Sequence, residues 1–478
     1  MVITGKISAY YAVPHPPIIV PAVGKGEEVA IKDTAEAFDK VAAEIESIEP
    51  DVIILITPHG PLFQDAISLS YDEKISGSLS RFGARSEAYN ADIDLPLTKR
   101  IISLAEEELG GLSTVQITKS SSKQFGVEYE LDHGTMVPLH FINKRYKSYK
   151  LVHITYGLLP KLQLYKFGML ITKAVEESGK NVVMIASGDL SHRLTKDGPY
   201  EYSPCGEVFD TEIISLLSDG DVMGIFNMDP GIIEEAGECA LRSYYVLLGA
   251  MNAYEFKGRK LSYQGNFGVG YLVMSFDINK TGRNTFSQLQ QQQEDKYQLR
   301  LKGEDPYMSL ARESLAHYVT HGKHLNKIPS YVTDEMNKLK RGVFVSISIE
   351  GELRGCIGTI QPTKDSIAKE IIWNAVEAGM FDPRFPPVEE DELKPLEFSV
   401  DVLAEPEKAV KSDLDTTKYG VIVRSGYKSG LLLPNLEGVD TVEEQLDIAL
   451  KKAGISPNSS YSIERFEVIR HKGENSDS

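Results

Sequence analysis

Cysteine is scarce. The 478-residue chain holds three, Cys205, Cys239 and Cys356, far apart and in no CxxC or zinc-ribbon spacing. An odd number cannot all pair within one chain, so no disulfide framework is expected and the chain reads as a reduced, cytoplasmic protein. Positive charge is also short. Lys and Arg total 51 against 69 Asp and Glu, a formal net charge of −18. No basic stripe is present to meet a phosphate backbone, so nucleic acid is not an expected partner. No apolar run approaches the ~18 residues that a membrane-spanning helix needs, so no membrane is expected either. The start, "MVITGKISAYYAVPHPPIIV", lacks the charged and long apolar regions of a secretory signal. What remains is ordinary globular material, 42% hydrophobic and 25% charged.

One segment breaks that texture. "NKTGRNTFSQLQQQQEDKYQLRLKGEDP" is polar and Gln-rich and follows the strand-like "GYLVMSFDI". It cannot repay its own ordering entropy by burial. Three parts are therefore expected: a domain over 1–278, a polar Gln-rich linker over 279–304 with few helix breakers, and a second domain over 305–472. Before the seam, short apolar runs ("KISAYYAV", "DVIILITPH", "YKLVHITYG", "NVVMIASGD") alternate with helical patterns. That predicts an α/β N-terminal domain with a central, mostly buried sheet flanked by helices. After the seam a helix is followed mostly by short strands, which predicts an α+β C-terminal domain with an antiparallel sheet.

In α/β sheets ligands sit beyond the carboxyl ends of the strands. There the first domain places its unusual residues. His15 follows "SAYYAVP" and His59 follows "VIILITP", on strands expected to lie side by side. Either alone is most plainly a turn histidine. Together two imidazoles at neighbouring strand ends can reach one metal ion. "ELDHGTMVPLHF" adds Asp132, His133 and His140. "ASGDLSHRL" adds Asp189 and His192. "AGECALRSYYVLLGA" puts Glu238 and Cys239 at the expected start of a helix, where an acid is also favoured by the helix dipole. Histidines with one carboxylate suit the facial triad of a non-haem Fe(II) oxygenase, with further imidazoles available for proton transfer. Glu238 and Cys239 are neighbours, and adjacent helical residues point about 100° apart, so only one of the two is expected to face a common point; a thiolate would favour softer ions such as Cu(I) or Zn(II). The glycine string "GNFGVG" precedes a strand instead of opening a helix, so it is not a dinucleotide fingerprint.

"VPHPP", "TPHG", "LDHGTMVPL", "SGDLSHRL" and "GECALRSYYVLLGA" together resemble the class III extradiol ring-cleavage dioxygenases and their Memo-like branch. The resemblance implies Fe(II) held by His15, His59 and Glu238. It implies His192 as the acid/base on a catechol hydroxyl, and His133 in contact with substrate or oxygen. A small aromatic molecule and O2 would be the reactants. In the Memo-like branch a cysteine takes the acid's place. After the seam, "LRGCIGTI", "NAVEAGMFDPRFPPV" and "LLLPNLEGVDTVEEQL" resemble the AMMECR1 family. Bottom-up, Cys356 between two glycines reads first as a small packed residue. An activated thiol beside Arg354 is the alternative. Fusions of these two modules are associated with a radical-SAM protein. This chain has no CxxxCxxC, so such a cluster would belong to a partner.

Overall fold

A computed structural model describes residues 4–108, 111–349, 351–436 and 438–473. It separates into two compact units, Met1–Gln290 and Gln291–Ser478. Their division falls inside a helix, Thr285–Gly303, so the Gln-rich stretch is helical.

The first unit is built on an eight-stranded mixed sheet. Its strands are β1 (Lys6–Val13), β2 (Val52–Thr57), β3 (Ile67–Ser70), β6 (Thr114–Ile117), β7 (Lys150–Thr155), β8 (Asn181–Ser187), β9 (Tyr254–Gln264) and β10 (Tyr271–Lys280). The hairpin β4 (Lys74–Leu79) and β5 (Ala84–Asp92) stands apart from it. The strand order is β6-β3-β7-β2-β8-β1-β10-β9. The inner four, β7, β2, β8 and β1, are parallel, and β3 and β10 join them antiparallel on the two sides.

The inner strands are near-continuous apolar runs because both faces are covered. Ile54 and Ile56 of β2 join the core formed with the helices Lys161–Ser178 and Leu241–Ala250. Ile53 and Leu55, one residue out of phase, join the opposite core with Lys32–Ile48 and His133–Ile142.

One expectation is corrected. β1 and β2 are not neighbours, because β8 pairs with both and lies between them. The connection from β1 to β2 therefore steps over one strand position, which the later β8 fills. The carboxyl ends of all three still share one edge, since the three run parallel.

In the second unit the helices Pro306–His321, Ile367–Met380 and Val442–Ala453 accompany two antiparallel sheets. One has the order β12-β11-β13-β18, from β11 (Val343–Ile349), β12 (Glu352–Gly358), β13 (Glu397–Leu403) and β18 (Val468–His471). The other has β14-β17-β15-β16, from β14 (Glu407–Ala409), β15 (Gly420–Ser425), β16 (Lys428–Leu432) and β17 (Ser462–Phe466). No helix among the described residues is long and apolar enough to cross a membrane.

Two glycines let the helices Lys161–Ser178 and Leu241–Ala250 approach closely. A Cβ on Gly168 would collide with the Val246 carbonyl, and one on Gly249 with the Tyr165 carbonyl. Helix propensity alone would favour alanine by about 1 kcal/mol. Main-chain carbonyls cannot rotate away, so overpacking wins. Gly249→Ala is expected to destabilise the first unit by about 1–3 kcal/mol. A melting temperature equal to or above wild type, read by circular dichroism, would contradict this packing account.

Candidate metal centre

His15 stands two residues past β1 and is buried. Its main-chain N–H donates to Asp189 Oδ1 at 2.7 Å. Its Nδ1 lies 2.9 Å from Ser187 Oγ, and that hydroxyl donates to the Gly134 carbonyl at 2.6 Å. The hydroxyl has one proton, already committed, so its oxygen must accept from His15 Nδ1–H. The tautomer follows: His15 Nε2 carries a lone pair and faces into the site.

His59, two residues past β2, brings its own Nε2 to 2.9 Å from His15 Nε2. With His15 Nε2 unprotonated, His59 Nε2–H is the donor in the metal-free protein. A cation entering between the two nitrogens would take that proton's place.

Cys239 completes the group. Its Sγ lies 3.7 Å from His15 Nε2 and 3.9 Å from His192 Nε2. One donor atom from each of His15, His59 and Cys239 falls within 4.8 Å of the others. The sulfur accepts from the Asp189 N–H at 3.2 Å, and the Cys239 N–H donates to the Asp189 carbonyl at 3.1 Å. Cys239 is thus pinned to the loop that follows β8.

Glu238 lies elsewhere. Its Oε2 accepts from the N–H groups of Ala240 and Leu241 at 2.5 and 2.6 Å, at the start of the helix Leu241–Ala250. Both Glu238 and Cys239 precede the first helical residue, so the 100° helical offset does not apply to them. The turn sends the carboxylate to the helix end and the thiol to the histidines.

His133 opens the helix His133–Ile142 and stacks on His59, with ring centroids 4.1 Å apart. Phe82, from the turn between β4 and β5, sits edge-on to His133 at 5.2 Å. His192 follows β8 and stacks on Tyr200 at 5.1 Å. Asp132 caps the helix of His133 through Thr135, accepts from Thr57 Oγ1 at 2.5 Å, and meets His153 Nε2 at 3.1 Å. His140 is not part of the group: its Nδ1 is 2.9 Å from Tyr89 Oη. Ser187, His153 and Phe82 escaped sequence reading. Only Ser187 had a signal, standing at the end of a buried strand.

Burial controls the charges. It pushes His59 and His192 down to about 4 and holds His15 well below the usual imidazole range, with neighbouring imidazoles adding to each shift. All three are therefore neutral near pH 7 and can offer lone pairs. Burial, then the Asp189 carboxylate, raises the Cys239 thiol well above its usual range. Burial also raises Asp189 to about 7. For Asp132 burial acts upward, but the His153 and Thr57 contacts outweigh it and hold the carboxyl at about 2.

A cavity of about 470 Å³ opens beside His59 and His133. Leu62, Phe82, Leu131 and Met136 give it apolar walls, and Arg81, Glu128 and Glu130 line it as well. Two neutral imidazoles and a thiol that converge from buried His15, half-buried Cys239 and exposed His59, next to a cavity with both apolar and charged walls, make a site that can hold a metal ion beside an organic molecule.

Residues 9–274 match the family model described as "Catalytic LigB subunit of aromatic ring-opening dioxygenase". The chain belongs to this family. Residues 308–473 match the AMMECR1 family. A Clostridium acetobutylicum protein is 52% identical over 467 residues, covering 98% of this chain and 99% of its own length, so the fusion of both modules recurs there. A Thermotoga maritima protein is 49% identical over 173 residues, 36% of this chain and 99% of that one. A crystal structure of an uncharacterized Pyrococcus horikoshii protein shares 30% identity over 35% of this chain and 90% of its own, with a TM-score of 0.33.

In the AMMECR1 unit, Cys356 Sγ accepts from Ser346 Oγ at 3.1 Å. Arg354 is committed to Glu392, at 2.9 and 3.0 Å, and to the Pro386 carbonyl. A second cation, Arg384, reaches Cys356 as well: its guanidinium donates to the Cys356 carbonyl at 3.1 Å.

The neutral histidines of the LigB-type unit set a pH dependence. A histidine whose folded pKa lies below its unfolded value takes up its proton first in the unfolded chain. Its stabilising contribution is whole above about pH 6.5 and is lost as pH falls toward about 4. For metal-stripped protein, His192→Gln should therefore gain melting temperature relative to wild type as pH drops from 7 to 4. A wild-type-minus-variant difference that stays flat across that window would refute the assignment.

Proposed function

We propose that the LigB-type unit is a metal-dependent oxidoreductase of the Memo-like kind, with His15, His59 and Cys239 as the metal ligands. One observation carries this: the Cys239 sulfur, and not the Glu238 carboxylate, meets the two histidines. Imidazole with thiolate suits copper or zinc, whereas Fe(II) of the facial-triad kind calls for a carboxylate. A redox-active ion there would supply one-electron chemistry and a seat for a phenolic oxygen.

The protein's own groups would divide the remaining work. His192, neutral and 3.9 Å from the sulfur, would take a proton from a bound hydroxyl. His133 and Phe82 would hold an aromatic ring beside His59 and exclude water. A small aromatic molecule and O2 are the reactants this reading favours. The second reading keeps Fe(II) and catechol ring cleavage, and it is favoured by the family match and by the cavity beside His59 and His133. The three free cysteines suit a cytoplasmic setting. The fusion to an AMMECR1 unit is the ground for proposing a radical-SAM partner.

Metal analysis separates the two readings. His15→Ala and His59→Ala should each lose bound metal, Cys239→Ser should lose it too, and Glu238→Gln should keep it. Metal retained in Cys239→Ser and lost in Glu238→Gln would return the site to the carboxylate-iron reading.

The role of His192 has its own test, an oxygen-uptake screen of catechols and related phenols on reconstituted enzyme. With an active phenol found, His192→Ala should keep its metal and lose turnover by ~10²–10⁴. Unchanged turnover would remove His192 from proton transfer.

A further inference from the structure

His192 stands on neither a helix nor a strand. It lies in the loop that follows β8, and each main-chain N–H of that loop from Leu190 to Leu194 is committed. Leu190 and Leu194 donate to the carbonyls of Gly270 and Gly268, at 2.8 and 3.0 Å, and His192 donates to the Ala236 carbonyl at 3.1 Å. Arg193 donates to Ser191 Oγ at 3.0 Å, and that hydroxyl donates to the Ala236 carbonyl at 3.0 Å. Ser191 donates to Asp210 Oδ1 at 2.8 Å. Of these five N–H bonds, only the last ends on a side chain from another element, the helix Cys205–Asp219.

The string "GNFGVG" has its use here, because Gly268 and Gly270 are the loop's main-chain partners. Gly270 also donates its own N–H to the Ser191 carbonyl at 2.8 Å. A Cβ on Gly270 would strike Asp210 Oδ2 and Leu190 Cβ. Asp210 itself is buried, and its Oδ2 accepts from Tyr263 Oη of β9 at 2.7 Å. Both neighbours are donors, so a carboxylate, with an acceptor on each oxygen, answers both. Keeping a charge away from water is costly, and bonds of this kind offset the cost. They are also stronger than neutral ones, and one of them falls on the residue before His192.

We propose that Asp210 is a positioning residue for His192. Its Oδ1 holds the Ser191 N–H and thereby fixes the imidazole whose Nε2 lies 3.9 Å from Cys239 Sγ. Asp210 acts through Ser191. The inference rests on the proton-transfer role given to His192 above. Geometry of this kind matters, since a misplacement of about 1 Å can cost ~10²-fold in rate.

The probe is 4-nitrocatechol, whose visible absorption changes with each proton it loses. The full chain is loaded with Zn(II), which is colourless and does not oxidise the probe. In wild type the last hydroxyl proton of the bound probe passes to His192 Nε2, so the fully ionised form should appear at lower pH than for free probe. His192→Gln should raise that pH by about one unit or more. Asp210→Ala should match His192→Gln, with zinc content and circular dichroism unchanged. Asp210→Asn should restore the wild-type titration, because its Oδ1 still accepts from Ser191. Tyr263→Phe frees the other carboxylate oxygen and leaves the Ser191 bond in place, so it should titrate like wild type. A purely structural role would give Tyr263→Phe and Asp210→Ala the same defect. Gly270→Ala, whose methyl would displace the carboxylate, should shift the titration in the same direction as Asp210→Ala and serves in its place should that variant fail to fold. A wild-type titration in folded Asp210→Ala or Gly270→Ala, or an equal shift in Tyr263→Phe, would overturn the assignment. A wild type that titrates like His192→Gln or like free probe would instead refute the proton role of His192, and this inference with it.

Discussion

The Ser187 hydroxyl organises the first unit. Its single proton goes to the Gly134 carbonyl, and its oxygen therefore receives the proton of His15 Nδ1. Three pieces of chain meet in that exchange: the end of β1, the end of β8, and the helix that begins at His133. Because β8 lies between β1 and β2, Ser187 stands where the two histidine-bearing strands need a common reference. A buried hydroxyl with both roles filled adds no desolvation penalty, whereas an unfilled one would cost about 1–3 kcal/mol. The tautomer of His15, and hence the direction of its lone pair, is a by-product of satisfying Ser187.

Asp132 provides the second anchor. Its carboxylate is buried and accepts from Thr57 at the end of β2, from Thr135 in the helix, and from His153 in β7. His153 is held in turn by Ser70 of β3. A buried carboxylate survives only with such company. The arrangement fixes where His133 emerges relative to His59, two residues past Thr57. Gly134 is required at this crowded junction, because a Cβ there would strike Thr57 and Asp132. The positions of the candidate catalytic groups thus follow from main-chain registers and from buried polar groups that each need a partner.

Much of this was legible in the amino-acid sequence, for a physical reason. β1, β2, β7, β8 and β10 are buried on both faces or nearly so, and their apolar runs stand out. His15, His59, His133 and His192 follow or open elements whose ends are marked by Pro, Gly or an acidic cap. β3 and β6 are only four residues each and gave no run to find. β4 and β5 form a half-exposed hairpin, "KISGSL" with "ARSEAYNAD", whose polarity hides it. That hairpin nonetheless brings Arg81 and Phe82 to the cavity. Strand adjacency was misjudged because nothing local in β1 or β2 reports that β8, more than a hundred residues later, will pair with both.

Glu238 and Cys239 show why residue types alone could not choose the third member of the histidine group. Both side chains were chemically eligible. The deciding quantity is what each would leave behind. If Glu238 swung toward His15, the N–H groups of Ala240 and Leu241 would lose their acceptor at a buried helix start, at about 1–3 kcal/mol for each unsatisfied group. The carboxylate would also give up the favourable helix end. Cys239 has no comparable tie, since sulfur is a weak hydrogen-bond partner and its strongest contact is the Asp189 N–H. The order acid-then-thiol across this turn is therefore not interchangeable. The stronger acceptor is held by the main chain, and the weaker one is left facing the imidazoles, where a soft donor has the most to gain from a metal.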